Sequence, residues 1–325
     1  MRALLRIAVA ALVATGAFTE ATLASAQDYP TKPVRIITAG PGTMLDIVAR
    51  QLGQGLGERW GQPLVVENRG GAGLMIAADI AAKSSPDGYT LLLGDRTSHA
   101  AHPNLYKNLP YDPVKDFAPI TLVAIAPMLL VAHPSVPAGN LREFIAYAKQ
   151  HPGAINFATG GPGTGTHMTG ELLKHLAGIN MVSVHYKGGG AAIVAILGGE
   201  AKAGFSTVPV ALPHVRAGKV KTYAITSKKR FAGTPDIPTA AEAGLPGFES
   251  DYWAGAFAPA RTPAALVGRL NRDFVEILQT PAMRERLLAQ GAAPTPGTPA
   301  EFAAFIKTET VKLKKVIDLA GIKPE

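Results

Sequence analysis

Short β-branched segments alternate with helical segments along the first third of the chain, and each strand ends in a turn of glycine or small polar residues. The first strand is predicted at residues 34–37, and Gly40-Pro41-Gly42 separates it from apolar residues at helical spacing over 45–56. Further strands are predicted at 63–66 and 89–93. This order is typical of βαβ units, so the sequence predicts an α/β fold built on doubly wound sheets.

The same alternation returns in the second half of the chain. Strands are predicted at residues 156–158, 182–185, 203–206 and 220–226, helices between them at 166–177, 189–197 and 210–217, and three final helices at 263–279, 281–290 and 298–319. Ligands of such sheets bind at the carboxyl ends of the strands. Four turns rich in glycine or hydroxyl groups occupy those positions, at 40–44, 94–98, 159–166 and 186–190. Each half contributes two of them, so we expect two lobes that face each other across a cleft.

The first 26 residues have the pattern of a secretory signal peptide. Arg2 and Arg6 precede an apolar run at residues 7–18, and Ala24-Ser25-Ala26 forms a small-x-small cleavage site. A membrane anchor is the alternative, but a bilayer span needs about 20 apolar residues. The sequence therefore predicts cleavage after Ala26 and a periplasmic location.

The composition excludes several classes of site. The chain has no cysteine, so disulfides, a lipid-modified cysteine and thiolate metal sites are excluded. The net charge is +8, but the basic residues are dispersed along the sequence, and we expect no nucleic-acid partner.

A glycine-rich loop in residues 156–176, NFATGGPGTGTHMTGELLKHL, points to a bound anion. A P-loop does not fit it, because a lysine and then Ser or Thr should follow the last glycine, and here His167 and Met168 follow Thr166. A dinucleotide fingerprint does not fit it either, because Thr166 or Met168 stands where the third glycine is required. Backbone amides, threonine hydroxyls and the positive end of a helix remain, and this combination is suited to an anion. A tight turn without a ligand, held together by His167, is the structural alternative.

Metal and catalytic sites have weaker support in the sequence. His99 and His102 are three residues apart, but no cluster of carboxylates accompanies them, so no metal and no cofactor are expected. An exported hydrolase that uses Ser98 or Ser206 with a histidine is the competing class. No motif places a base and an orienting acid around either serine.

Nine stretches of the mature chain resemble those of a known family. They are TKPVRIITAGPG (31–42), DIVARQL (46–52), GQPLVVENRGGAG (61–73), PDGYTLLLG (86–94), YKNLPYDPVKDFAPI (106–120), NFATGGPGTGTHMTGELL (156–173), VHYKGGGAAIVAILGGE (184–200), PVALPHVRAGKVK (209–221) and PTAAEAGLPGF (238–248). In this order they resemble the Bug-type (TctC family) periplasmic substrate-binding proteins of tripartite tricarboxylate transporters.

The resemblance implies a two-lobed, type II periplasmic-binding-protein (Venus flytrap) fold without enzymatic activity. Residues 27–125 and 227–325 would form the first lobe and 126–226 the second. The ligand would be a small organic acid, either a di- or tricarboxylate or an aromatic carboxylate. A monomer would deliver it to the membrane subunits of a tripartite tricarboxylate transporter, or would signal its presence to a sensor receptor.

Carried onto this chain, the resemblance places the ligand in five loops. The implied ligand-binding residues are Pro41, Gly42, Thr43, Met44, Arg96, Thr97, Ser98, Thr159, Gly163, Thr164, Thr166, His167, Tyr186, Lys187, Gly188, Ser206 and Thr207. Arg96 departs from the family pattern, and either grips a carboxylate in the cleft or is a solvated charge. Ser206 stands where many relatives have an aspartate, which favours a ligand without an amine. Tyr186 and Trp253 are candidates for stacking on a flat ligand or for core packing.

Overall fold

The computed structural model describes residues 29–319 and 321–322, and the predicted signal peptide lies outside the described residues. Ten strands are described: β1 (Val34–Thr38), β2 (Leu64–Asn68), β3 (Thr90–Asp95), β4 (Phe117–Ala132), β5 (Asn156–Thr159), β6 (Val182–His185), β7 (Ala203–Thr207), β8 (Lys221–Ile225), β9 (Asp251–Pro259) and β10 (Ala293–Pro294). They pair in the order β2-β1-β3-β9-β4-β7-β5-β6, and β8 and β10 also pair with β4.

Helices connect most of these strands. They are α1 (Met44–Trp60), α2 (Met75–Ala82), α3 (His102–Leu105), α4 (Leu141–Gln150), α5 (Gly165–Ala177), α6 (Gly189–Leu197), α7 (Val208–Arg216), α8 (Ala264–Gln279), α9 (Pro281–Ala289) and α10 (Pro299–Leu319). A 3₁₀ turn (Ala72–Leu74) precedes α2, and a π-helical turn (Thr97–Ala101) precedes α3. No helix in the described part of the chain is long and apolar enough to cross a bilayer.

Each lobe contains a set of three parallel strands. β2, β1 and β3 form one set, and β6, β5 and β7 form the other. β9 and β4 lie between the two sets and pair antiparallel with each other and with their neighbours. The predicted two-lobed α/β fold is therefore confirmed, although its sheets are mixed and not wholly parallel.

β4 passes from one lobe to the other. It pairs with β9 as far as Pro127 and with β7 from Met128 onward. Proline cannot donate a hydrogen bond to a sheet, and Pro127 lies where the strand changes partners. The return connection lies beside it, because Met128 N–H donates to Thr226 Oγ1 (2.8 Å) and Ser250 N–H donates to Thr226 O (3.1 Å). Pro127, Thr226 and Ser250 therefore lie close together where β4 changes partner strands.

The core is densely filled where β9 meets α10. Phe257 and Phe302 are both about 1% exposed, and their ring centroids are 5.0 Å apart. Gly255 makes room for the Phe302 ring, because a Cβ atom on Gly255 would lie 2.0 Å from Phe302 Cζ. Trp253 packs edge-on against Phe302 and Phe305. This packing holds β9 rigidly at the centre of the sheet, next to β3.

Candidate ligand-binding cleft

A cleft of about 550 Å³ lies between the lobes, at the carboxyl ends of the parallel strands. Turns from both lobes line it, as expected for an open α/β sheet. The lining residues are Ala39, Gly40, Pro41, Thr43, Met44, Gly70, Gly71, Ala72, Gly73, Asp95, Thr97, Tyr106, Gly160, Gly161, Pro162, Thr164, Gly165, Thr166, Tyr186, Lys187, Gly188, Gly189, Gly190, Ala191, Ser206, Thr207, Val210 and Tyr252.

The turn after β1 presents the start of α1 to the cleft. Thr43 is the N-cap: its Oγ1 accepts from Asp46 N–H (3.3 Å) and donates to Gly40 O (2.8 Å). The first intrahelical bond is donated by Ile47 N–H to Thr43 O (3.0 Å), so the amides of Met44 and Leu45 precede the helical ladder. The Gly42 amide donates instead to Asp46 Oδ2 (3.0 Å). This turn therefore offers helix N-terminal amides, and no cationic side chain.

The glycine loop after β5 is fixed by the side chains of its own helix. Thr164 is the N-cap of α5 and accepts from His167 N–H (3.4 Å), while Thr166 Oγ1 accepts from Gly160 N–H (2.9 Å). The Gly163 amide donates to His167 Nδ1 at 3.1 Å. His167 thus holds the loop in place from outside the cleft lining, in line with its structural interpretation.

The start of α6 is the most open of the three helix N-termini. Its first intrahelical bond runs from Ala192 N–H to Gly188 O (3.1 Å), so the amides of Gly189, Gly190 and Ala191 precede the ladder. All three residues line the cleft. A Cβ atom on Gly160 would lie 3.1 Å from the Gly189 nitrogen, so glycine at position 160 permits this close approach of the two loops.

Two tyrosines have different roles at the cleft. Tyr186 lines it, but its hydroxyl donates to Glu200 Oε1 (2.9 Å) outside. The Tyr252 ring packs against Gly165 of the other lobe, where an added Cβ atom would lie 3.2 Å from Tyr252 Cδ2. The hydroxyl groups of Ser206 and Thr207, at the end of β7, complete the polar lining.

Asp95 is a buried carboxyl group in the cleft lining, with only 4% of its surface exposed. Its Oδ1 accepts from Ser98 N–H (2.8 Å), and its Oδ2 accepts from the Tyr252 hydroxyl. Burial raises the pKa of Asp95, and these hydrogen bonds oppose the shift. Burial also raises the pKa of Tyr252 well above its ordinary value, so the phenol keeps its proton.

Arg96 lies directly after Asp95 but points away from the cleft. It is 2% exposed, and its guanidinium Nη1 donates to Ser250 Oγ (2.8 Å) and Asp251 O (3.0 Å). Burial lowers the pKa of Arg96, and the carboxyl groups of Glu309 and Asp251 oppose this shift. Arg96 therefore ties the turn after β3 to the start of β9. It neither faces the cleft nor lies in solvent, so its position differs from both alternatives that the sequence left open.

Ser98 and His99 do not form a catalytic pair accessible to substrate. Ser98 Oγ lies 2.9 Å from His99 Nδ1 and 3.0 Å from Asp95 Oδ1, but neither Ser98 nor His99 is exposed. The carboxyl group contacts the serine, whereas a nucleophilic triad needs it on the histidine. Burial lowers the pKa of His99 to about 3, which makes it a poor base near neutral pH.

The structure separates the seventeen residues implied by the resemblance into two groups. Those that line the cleft are Pro41, Thr43, Met44, Thr97, Thr164, Thr166, Tyr186, Lys187, Gly188, Ser206 and Thr207. Those that are not among the lining residues are Gly42, Arg96, Ser98, Thr159, Gly163 and His167. Thr159 Oγ1, for example, is paired with His185 Nδ1 at 2.7 Å. Trp253 is 1% exposed in the core and does not reach the cleft.

The polar lining side chains that the sequence reasoning missed are Asp95, Tyr106 and Tyr252. Asp95 lies within the turn predicted at residues 94–98, but the resemblance implied its neighbour Arg96 instead. Tyr252 carried no local signal, because it reaches Asp95 from a strand 157 positions later. As for metals, the described residues contain no group of three or more His, Asp or Glu side chains placed to bind one.

Comparison with known proteins agrees with this architecture. A model of the tripartite tricarboxylate transporter family receptor (TctC) matches residues 48–322. Protein BugT of Bordetella pertussis is 37% identical over 301 residues, which cover 92% of each chain. The chain therefore belongs to the TctC family of receptors, and the predicted resemblance is confirmed.

Solved structures share the fold over almost the whole described chain. Rpa4515 of R. palustris, solved with adipate, superposes with a TM-score of 0.89 at 32% identity and covers 91% of this chain and 100% of its own. MatC of Rhodopseudomonas palustris, solved with malate, gives a TM-score of 0.84 at 34% identity, with coverages of 89% and 100%. The periplasmic binding protein BugD gives 0.87 at 33% identity, with coverages of 91% and 100%.

Proposed function

We propose that this protein is a periplasmic receptor that binds a small organic acid between its lobes, with the carboxylate at the helix N-termini. One observation carries the proposal: the N-termini of α1, α5 and α6 open into the same cleft, and the unpaired amides of α6 line it. Each helix N-terminus carries about half a positive charge. Three of them make a site for an anion without requiring a cationic side chain.

The size and chemistry of the cleft suit a small ligand. Its volume of about 550 Å³ is within the usual range of small-molecule sites. Glycine backbone, threonine and serine hydroxyls supply most of the polar lining, and Met44 and Val210 add apolar surface. Adipate in Rpa4515 and malate in MatC support a carboxylate as the ligand class for this relative.

Binding and delivery, not catalysis, are the expected activities. The trio of Asp95, Ser98 and His99 is buried and wrongly ordered for acyl transfer, and no histidine is among the residues that line the described cleft. Rotation of the lobes about the adjacent segments at Pro127, Thr226 and Ser250 would close the cleft. The closed form would then be presented to the membrane subunits of a tripartite tricarboxylate transporter, the partner that the family description favours over a sensor receptor.

The test is calorimetric titration of ligand-stripped mature protein with C4 to C6 dicarboxylates, citrate, aromatic acids and amino acids. Each acid that binds is compared with its neutral carboxamide analogue. We expect at least one acid to bind, and we expect its carboxamide to bind more weakly by a factor of at least about ten. The reason is that a hydrogen bond to a charged group contributes about 1.5–3 kcal/mol. Equal binding of acid and carboxamide, or binding of no acid, would contradict a carboxylate receptor.

A further inference from the structure

Two neighbouring hydroxyl groups at the end of β7, those of Ser206 and Thr207, make no hydrogen bond within the described part of the chain. Both residues line the cleft, and they are only 5% and 8% exposed. Polar groups buried to this extent are normally hydrogen-bonded, because an unmade bond leaves the cost of desolvation uncompensated. The two hydroxyl groups are therefore available to a ligand in the cleft.

Thr207 differs in this respect from the other threonines that begin helices at the cleft. Thr43 and Thr164, the N-caps of α1 and α5, each accept from an amide of their own helix and donate to a carbonyl of their own turn. Thr207 is the N-cap of α7, but its side chain makes no capping hydrogen bond. The amide of Val210, which a capping hydroxyl would accept, is also left without that partner, and Val210 lines the cleft.

The end of β7 is separate from the place where α6 offers its amides. β5 lies between β7 and β6 and pairs parallel with both, so the two outer strands end about 9–10 Å apart. The amides of Gly189, Gly190 and Ala191 follow β6, whereas Ser206 and Thr207 end β7. With hydrogen bonds of about 3 Å, a single carboxylate does not reach both strand ends. The second lobe thus offers two separate groups of donors.

The group at the end of β7 suits an acid better than an amine. The N-terminus of α7, a helix of nine residues, lies at this strand end and carries about half a positive charge. Residues 203–210 include no acidic side chain that could pair with an ammonium group. The Asp95 carboxyl group of the first lobe already faces four donors, namely two amides and the hydroxyl groups of Ser98 and Tyr252.

We propose that Ser206 and Thr207, at the N-terminus of α7, bind a second acidic group of the ligand, so that the protein selects dicarboxylates over monocarboxylates of the same length. The inference rests on the proposed function and deepens it, because it adds a second subsite to the amides of α6. It also gives a positive role to the neutral pair that favoured a ligand without an amine.

The test uses matched acids that differ only in one end group. Adipate, hexanoate and 6-aminohexanoate form the aliphatic series, with the corresponding C4 and C5 compounds. Terephthalate, 4-methylbenzoate and 4-(aminomethyl)benzoate form the aromatic series. We expect the diacid of at least one series to bind at least about tenfold more tightly than both of its partners, as for hydrogen bonds to a charged group. Calorimetric titration of ligand-stripped protein measures these ratios.

Isosteric variants connect the preference to the two hydroxyl groups. The double variant Ser206→Ala/Thr207→Val should reduce the ratio of diacid to monoacid affinity about tenfold and leave the monoacid affinity within about twofold. Its thermal unfolding should change little, because neither hydroxyl group bonds to the described protein. Each single variant should show part of the loss, so the test remains decisive if the double variant does not fold.

Thr38→Val is the matched control. Thr38 is likewise the last residue of a parallel strand, β1, and its buried hydroxyl group likewise has no partner within the described chain. It is not among the residues that line the cleft, so the substitution should leave the ratio of diacid to monoacid affinity unchanged.

The outcomes separate this inference from the proposed function. Equal binding of diacid and monoacid, binding of monoacids alone, or tighter binding of the amino acid of a series overturns the second subsite but leaves a carboxylate receptor. An undiminished diacid preference in the double variant, or in both single variants, also overturns it. Binding of no acid in either series or in the wider panel overturns the proposed function, and this inference with it.

Discussion

The amide of Gly165 donates a hydrogen bond to Thr97 Oγ1 at 3.3 Å, and this bond joins the two lobes across the cleft. Thr97 follows β3 in the first lobe, and Gly165 begins α5 in the second. On the same side of the cleft, the Tyr252 ring packs against Gly165. The described conformation is therefore one in which the lobes are in contact, and Thr97 contributes to that contact as well as to the lining.

Thr97→Val should weaken ligand binding, because valine has the shape of threonine without the acceptor for Gly165 N–H. A hydrogen bond contributes about 0.5–1.5 kcal/mol, so we expect the dissociation constant to rise by about 2- to 13-fold, mainly through faster dissociation. Calorimetry and stopped-flow measurements would check this. Thr262→Val is the matched control, because the Thr262 hydroxyl is buried without a partner in the described chain. Equal effects of the two substitutions would argue against the bond between the lobes.

Arg96→Met should reduce stability far more than affinity. The substitution removes the partner of Ser250 Oγ and Asp251 O, and takes away one of the two cations, Lys312 and Arg96, that offset the burial of the Asp251 carboxyl group. Loss of one member of a buried charged network costs about 3–5 kcal/mol, measured as the unfolding free energy in urea. The folded fraction should bind ligand nearly as tightly as the wild type. A large loss of affinity at unchanged stability would instead place Arg96 in the ligand site.

Arg230→Met, which breaks an exposed pair with Glu242, is the control and should change stability little.

The same substitution in two helices should have opposite effects on stability. A Cβ atom on Gly170 of α5 would lie 2.2 Å from Phe157 Cε1, so Gly170→Ala should destabilise the protein by about 1–3 kcal/mol through overpacking. A Cβ atom on Gly268 of α8 would meet nothing within 4 Å. Gly268→Ala should therefore stabilise the protein by about 0.5–1 kcal/mol, because alanine favours the helix. Thermal and urea unfolding of both variants would check the signs, and a stabilised Gly170→Ala variant would be inconsistent with this packing.

Stability should fall as the pH is lowered from 7 to 5, in part because His99 is buried. Burial lowers its pKa from 6.5 to about 3, so in this window the unfolded chain binds a proton at His99 and the folded chain does not. The unfolding free energy should thus lose about 2 kcal/mol between pH 7 and pH 5 from this group alone. Asp95, whose pKa is raised by burial, changes stability in the opposite direction as it titrates, so a variant is needed to isolate the histidine.

His99→Phe provides that isolation, because phenylalanine can retain the stacking on Phe257, whose centroid is 3.8 Å from that of the histidine ring. Its unfolding free energy should fall by about 2 kcal/mol less than that of the wild type over the same pH range. Phe117→Leu alters the edge-on contact with His99 without removing a titratable group. The reduction in its unfolding free energy relative to the wild type should therefore be the same at pH 7 and at pH 5. Parallel pH profiles for wild type and His99→Phe would contradict the buried neutral imidazole.

Local sequence patterns predicted the elements that form through local interactions. The helices at residues 45–56, 166–177 and 189–197 agree with α1, α5 and α6, because N-caps, glycine turns and apolar periodicity are contained within a few residues. The long strand β4 was not predicted. Its prolines at positions 119 and 127 obscured it, and the structure places them at a register shift and at the change of partner strand.

By itself, the sequence determined the family, the two-lobed α/β fold and the position of glycine and hydroxyl turns at the strand ends. Only the tertiary structure decided which side chain of a turn faces the cleft. Asp95 and Arg96 are adjacent, but the carboxyl group meets Tyr252 in the lining, whereas the guanidinium is drawn behind it to Ser250 and Asp251 O. All three partners lie on or just before β9, more than 150 residues away, and no local pattern records which strand will pair with β3. Hydrogen bonding across that distance, not propensity within the turn, sets the chemistry of the site.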